Sequence, residues 1–98
     1  MKIWADDIRP APFGYHWCRS VNETIRAIVS AEAQNVDIDV IDLDHDAGDY
    51  FEDGGDFIRV LDWLEESERD YPIRIHTANP VGAQNMRLII YRNGWEEL

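Results

Sequence analysis

Ninety-eight residues with 45% hydrophobic and 11% aromatic content describe one folded domain, residues 1–98, and exclude a disordered chain. Nine Lys and Arg against twenty Asp and Glu give a net charge of −11, which repels a polynucleotide backbone or an anionic lipid surface and excludes tracking of a long nucleic acid by charge. No apolar run reaches the ~18 residues of a membrane span. The start of the chain lacks a signal peptide's charged-then-apolar pattern, and the lone Cys18 forms no internal disulfide, so the expected location is the cytoplasm.

In chain order, Lys2-Ile3-Trp4-Ala5 reads as a buried strand with Asp6 and Asp7 at its carboxyl end. Ile8-Arg9-Pro10-Ala11-Pro12-Phe13-Gly14 reads as a loop. Residues 15–19 are a strand candidate, although eight or so residues are few for a return to a parallel neighbour. A helix-free extended return is one solution, and a different pairing of 15–19 is the other. Ser20 with Glu23 three residues later forms a capping box, and Ile25, Ile28 and Val29 then share one face of a helix over 21–34. Partial alternation over 36–43 predicts a strand that dissolves into Asp44-His45-Asp46. A loop over 49–55 leads to a helix over 56–69, where Phe57, Val60, Leu61 and Leu64 recur at helical spacing. Residues 73–77 form a short strand. Asn79-Pro80 is a cap followed by Pro at the first helical position, and Asn93-Gly94 ends the last helix.

Alternating strands and helices predict a mainly parallel sheet packed with helices. Ligands of such sheets bind beyond the carboxyl ends of the strands, where strand order reverses. The residues capable of chemistry cluster there. Asp6 and Asp7 follow the first strand, the segment Asp42 to Asp46 ends the third, and His76 and Thr77 end the fourth. Between Asp37 and Asp56 nine of twenty residues are acidic and none is Lys or Arg. Any single Asp at a strand end caps a turn or faces water. Together, Asp6, Asp7 and Asp44 form a hard-oxygen donor set suited to a divalent cation, with Mg²⁺ or Mn²⁺ foremost. His45 or His76 is the candidate acid–base group, with Asp46 beside it. Arg9, Thr77, Asn79 and Asn85, near the start of the last helix, are the candidate phosphate contacts. The four Trp are expected in the core, and Cys18 has no base at a nucleophile's spacing.

The order of acids resembles receiver domains of two-component signalling, which place acids after the first and third strands and Ser or Thr after the fourth. The lysine those receivers carry after a fifth strand is missing, and the only Lys is Lys2. A closer resemblance is to the cyclic-phosphate processing receiver domains. It rests on Asp6-Asp7-Ile8-Arg9-Pro10, on Leu43-Asp44-His45-Asp46-Ala47-Gly48, and on His76-Thr77-Ala78-Asn79-Pro80-Val81-Gly82-Ala83-Gln84-Asn85-Met86. The resemblance implies an α/β, three-layer flavodoxin-like domain, shortened at the first helix and the last strand. It also implies action on cyclic phosphate ends of RNA or on related nucleotides, an activity associated with RNA repair. The expected function is a metal-dependent phosphoesterase that takes a small phosphorylated ligand or a cyclic-phosphate RNA end. The alternative is a non-catalytic module that binds a phosphorylated ligand. A residual receiver that accepts a phosphoryl group on Asp is disfavoured by the missing Lys.

Overall fold

Strands β1 (Lys2–Ala5), β2 (Tyr15–Cys18), β3 (Val40–Leu43) and β4 (Ile73–Ile75) form one sheet in the computed structural model, which describes all 98 residues. All three pairings are parallel and the order is β2-β1-β3-β4. Helix α1 (Val21–Ala33) joins β2 to β3, α2 (Ile58–Glu66) joins β3 to β4, and α3 (Pro80–Asn93) follows β4. The first return needs no helix. Residues 8–14 run back in irregular conformation and place Tyr15 beside Lys2.

Both helical crossovers move in the same direction across the sheet. Right-handed crossing is close to universal, so α1 and α2 share one face. One core cluster joins Ile3, Ala5, Ile41, Leu43 and Ile73 of the strands to Ile28 of α1, Val60, Leu61 and Leu64 of α2, and Met86, Ile89 and Ile90 of α3. Alternate strand residues point the other way: Lys2, Trp4, Tyr15, Trp17 and Arg74. There the third layer is reduced to loop 8–14, held by a hydrogen bond from Trp4 Nε1 to the Arg9 carbonyl at 2.9 Å. The last strand survives as a single bridge beside β4. The Ile73 N–H donates to Glu96 O at 2.9 Å, and the Leu98 N–H donates to Ile73 O at 2.8 Å.

Local chemistry sets most boundaries. Ser20 caps α1 by accepting the Glu23 N–H at 3.1 Å, while Glu23 returns to the Arg19 N–H at 3.2 Å, one residue earlier than a capping box requires. Asn79 caps α3 by accepting the Gly82 N–H, and Gly94 ends it in the left-handed region at φ 68°. The β3 strand is four residues rather than the eight expected. Asn35 adopts φ 56° and the Val36 N–H bonds back to Ala31 O, so residues 35–36 still serve the exit of α1. The second helix starts at Ile58 and stops at Glu66, because Phe57 is its cap and Glu68 turns at φ 57°. A 3₁₀ turn, Gly48–Tyr50, occupies the start of the expected loop.

Candidate functional site

The sheet ladder continues one residue past the strand ends. The Asp6 N–H donates to Cys18 O at 3.0 Å, the Asp44 N–H to Ala5 O at 2.9 Å, and the His76 N–H to Leu43 O at 2.9 Å. These bonds bring Asp6, Asp44 and His76 to one rim. Strand order reverses between β1 and β3, and the acidic residues stand at that crevice. Carboxylate oxygens of Asp6, Asp7 and Asp44 lie within 4.8 Å of one another, and all three residues are buried.

Their partners differ. Asp6 Oδ1 accepts the Ile8 and Arg9 N–H groups at 2.9 and 2.8 Å, and Oδ2 faces His76 Nε2 at 2.9 Å. Burial works to raise the Asp6 pKa, but the Arg9 and Ile8 N–H bonds and His76 hold it below the ordinary value. Asp7 goes the other way, raised by burial and by the charges of Asp6, Asp44 and Asp49. No cationic side chain pairs with the Asp7 carboxylate, and the Arg19 guanidinium donates instead to the Asp7 backbone carbonyl at 3.0 and 3.1 Å. The half-exposed Arg9 guanidinium lies 3.5 Å from Asp6 and 3.8 Å from Asp44, spread between two acids and tight to neither. Three buried carboxylates beside one loosely placed guanidinium fit a hard divalent cation.

The two histidines are held differently. His76 has both ring nitrogens engaged, Nδ1 with Asp42 at 2.6 Å and Nε2 with Asp6 at 2.9 Å. Its ring stacks on Trp4 with centroids 3.8 Å apart and planes 5° from parallel. Burial lowers its pKa, but the hydrogen bonds and charges of Asp42 and Asp6 prevail and raise it above the ordinary value. His76 therefore clamps two buried acids, one at each ring nitrogen. In His45, Nδ1 faces Asp46 Oδ1 at 2.7 Å and Nε2 has no protein partner. Asp46 also accepts from Asn79 Nδ2 at 3.3 Å. Its pKa is lowered, first by His45 and then, against burial, by Asn79. The chain Asn79–Asp46–His45 orients an imidazole with one nitrogen free.

Two glycines make room for this rim. A Cβ on Gly82 would sit 2.5 Å from the His45 ring, so the first turn of α3 serves as a floor for His45. A Cβ on Gly48 would sit 2.2 Å from Asp7 Oδ2, and φ 53° there suits glycine as well.

Of the remaining candidates, Thr77 Oγ1 accepts the Asn79 N–H at 3.1 Å, which leaves its hydroxyl proton free. Asn79 is engaged on both sides of its amide. Asn85 is exposed on α3 and makes no side-chain hydrogen bond to the rim. Lys2 opens β1, at the opposite end of the sheet from Asp44, and lies over the Tyr15 ring at 5.6 Å.

From sequence, Trp4 is expected in the core, Asp42 belongs only to the acidic run 42–46 with no partner assigned, and Asp56 has no site role. Trp4 is instead the platform under His76, and Asp42 is that histidine's partner. Asp42 carried a signal: an acid between Ile41 and Leu43 of a buried strand requires a partner. Asp56 shares a second group with His45 and Asp46, their ligand-type atoms within 4.8 Å, and its Oδ1 accepts the Ala47 N–H at 3.0 Å. Only its position after Gly54-Gly55 marked it.

No helix is long and apolar enough to cross a membrane. No curated protein and no solved structure matches the chain. The model of one family matches residues 1–92, and the chain belongs to that family, the cyclic-phosphate processing receiver domains.

Proposed function

We propose that the domain is a divalent-cation-dependent phosphoesterase that opens a cyclic phosphate on a nucleotide or an RNA end. One observation carries the reading: on a single rim, a buried triad of carboxylates stands beside an oriented imidazole with a free nitrogen. Asp6, Asp7 and Asp44 would hold the cation, Mg²⁺ or Mn²⁺. When bound, it supplies charge neutralisation of the phosphoryl oxygens and acidification of water. Arg9, half exposed above Asp6 and Asp44, and the Thr77 hydroxyl hold the phosphate from the chain's side. Water adds to phosphorus and the bond to one ribose oxygen breaks. His45 Nε2 gives that oxygen its proton, and the proton lost by the water restores His45. Asp46 keeps Nδ1 of His45 in place throughout. His76 has no free nitrogen, so its part is to hold Asp6 in position.

The test is hydrolysis of 2′,3′-cyclic nucleotides with Mg²⁺ or Mn²⁺ and with a chelator. Metal-dependent turnover that Asp44→Asn abolishes is the expected result. Binding of the cyclic nucleotide without turnover would make the domain a non-catalytic binding module. A stable phosphoryl adduct after incubation with acetyl phosphate would point to receiver chemistry instead, which lacks its lysine here.

A further inference from the structure

We propose that the pocket lined by Phe51, Gly54, Gly55, Asp56, Ile58 and Arg59 receives the base of a nucleoside cyclic phosphate; this rests on the function proposed above and names its substrate class. The pocket has a volume of about 690 Å³, within the roughly 300–1,000 Å³ of small-molecule sites. It adjoins the acidic rim through Asp56, which lines the pocket and also lies with His45 and Asp46. The Phe57 N–H donates to His45 O at 2.8 Å, so the same short segment borders both places.

The lining discriminates between parts of a ligand. Glu52 and Asp56 outnumber Arg59, so the pocket repels a phosphate. Phe51 is 55% exposed and lines the pocket together with Ile58, which provides its apolar surface. Arg59 has a side chain 67% exposed and only a 3.7 Å contact with Asp62, so its guanidinium plane is available for stacking. Gly54 and Gly55, at φ 113° and 92°, complete the lining, Gly54 packed tightly on Val21 and Gly55 against the Arg59 side chain. Asp56 spends one oxygen on the Ala47 N–H and keeps the other for an amino group. An aromatic side chain, a stacking guanidinium and carboxylate acceptors suit a neutral heteroaromatic ring that carries N–H donors, which describes an amino-bearing nucleobase.

The test titrates the full chain, with Mg²⁺ present, with three compounds. Adenosine 2′,3′-cyclic phosphate has both base and ring phosphate, glycerol 1,2-cyclic phosphate has only the ring phosphate, and adenosine has only the base. Both adenosine compounds should shift the Gly54, Gly55 and Arg59 amide resonances, and the glycerol compound should not. The nucleotide should bind roughly tenfold more tightly than the glycerol compound. Phe51→Ala, at an exposed position, should bring that ratio towards one, and Arg59→Ala should lower it independently. Equal affinity for the two cyclic phosphates, with no shift at Gly54 or Gly55, would overturn the pocket and leave the proposed function standing. If neither cyclic phosphate is turned over while adenosine still shifts Gly54 and Gly55, the pocket stands and the proposed activity falls. Silence towards all three compounds would overturn both. A dinucleotide with a cyclic-phosphate end separates the two sources of such a base. Tighter binding than the mononucleotide, with the same amide shifts, assigns the pocket to an RNA end, and weaker binding with those shifts assigns it to a free nucleotide.

Discussion

At the scale of residues, the rim uses the same side chain in two ways. His45 has one nitrogen oriented by Asp46 and the other free, while His76 spends both on Asp42 and Asp6. Replacing each should therefore give different losses. His45→Ala removes the proposed proton donor, and turnover should fall by roughly 10²–10⁴ while binding of a cyclic phosphate persists. His76→Ala leaves the buried Asp6 and Asp42 without their shared imidazole partner, which costs about 3–5 kcal/mol for a broken buried pair. Urea denaturation should show that loss for His76→Ala and almost none for His45→Ala. A His76→Ala chain of undiminished stability that no longer turns over would invert the assignment. Trp4 strengthens the contrast, since its ring stacks on His76 and fixes the imidazole plane between the two acids.

At the scale of elements, contact between helix and rim matters more than helix propensity. Gly82 lies in the first turn of α3, where Gly→Ala would ordinarily stabilise by about 0.8–1 kcal/mol. Here the added methyl would meet the His45 ring at 2.5 Å. Gly82→Ala should therefore leave the urea midpoint nearly unchanged while turnover drops at least roughly tenfold, the size expected when a catalytic group is misplaced. A second junction ties α1 to the segment between α2 and β4. Arg69 grips Glu32 with both Nε and Nη2 at 2.9 Å, and the Tyr71 hydroxyl donates to the same carboxylate. Hydrogen bonds from Arg69 and Tyr71 lower the Glu32 pKa from 4.5, so the junction's contribution is full above that value and is lost as pH falls through the lowered one. Burial, then Glu32, push Tyr71 from 10.0 up to about 12, so its part is full below 10.0 and is lost as pH rises towards about 12. Glu32→Gln should flatten stability against pH at the acid end, soften it only partly at the alkaline end, where the burial of Tyr71 remains, and cost about 1 kcal/mol at neutral pH for a partly exposed pair. Local signals made much of this arrangement legible: the Ser20 cap, Asn79-Pro80, Gly94, and acids following short apolar runs. They fixed which residues reach the rim. They left open that Tyr15–Cys18 returns in parallel without a helix, since only the pairing of Lys2 with Tyr15 decides it. The clamp on His76 was also hidden, because Trp4, Asp6 and Asp42 meet it only after β1, β3 and β4 are side by side.

At the scale of the whole molecule, a net charge of −11 on 98 residues opposes the compact state, and the buried acids of the rim concentrate that repulsion. Two kinds of salt should relieve it differently. NaCl screens all exposed charges over a Debye length of about 10 Å at 0.1 M and should raise stability gradually. A divalent cation held by Asp6, Asp7 and Asp44 would add a saturable increment by mass action, roughly 2.7 kcal/mol when its concentration is a hundred times Kd. For a domain of this size that corresponds to a rise in Tm of roughly 10–20 °C. The measurement compares MgCl₂ or MnCl₂ with NaCl at matched ionic strength by thermal unfolding. The divalent curve should rise above the NaCl curve and then plateau, and Asp44→Asn should merge the two while leaving the NaCl response in place. Superimposed curves for the unmodified chain would mean that Mg²⁺ acts only as ionic strength, and Asp6 and Asp44 would then be paired through Arg9 and His76 alone, with no cation for the Asp7 carboxylate. The same charge limits the nucleic acid that can be held. A site reaching one or two phosphates should show a log–log salt slope of only about one or two, because each phosphate contact contributes roughly 0.7–0.9. Affinity for a cyclic-phosphate oligonucleotide that keeps growing with length beyond the terminal two nucleotides would contradict a molecule whose only lysine stands at the far end of the sheet.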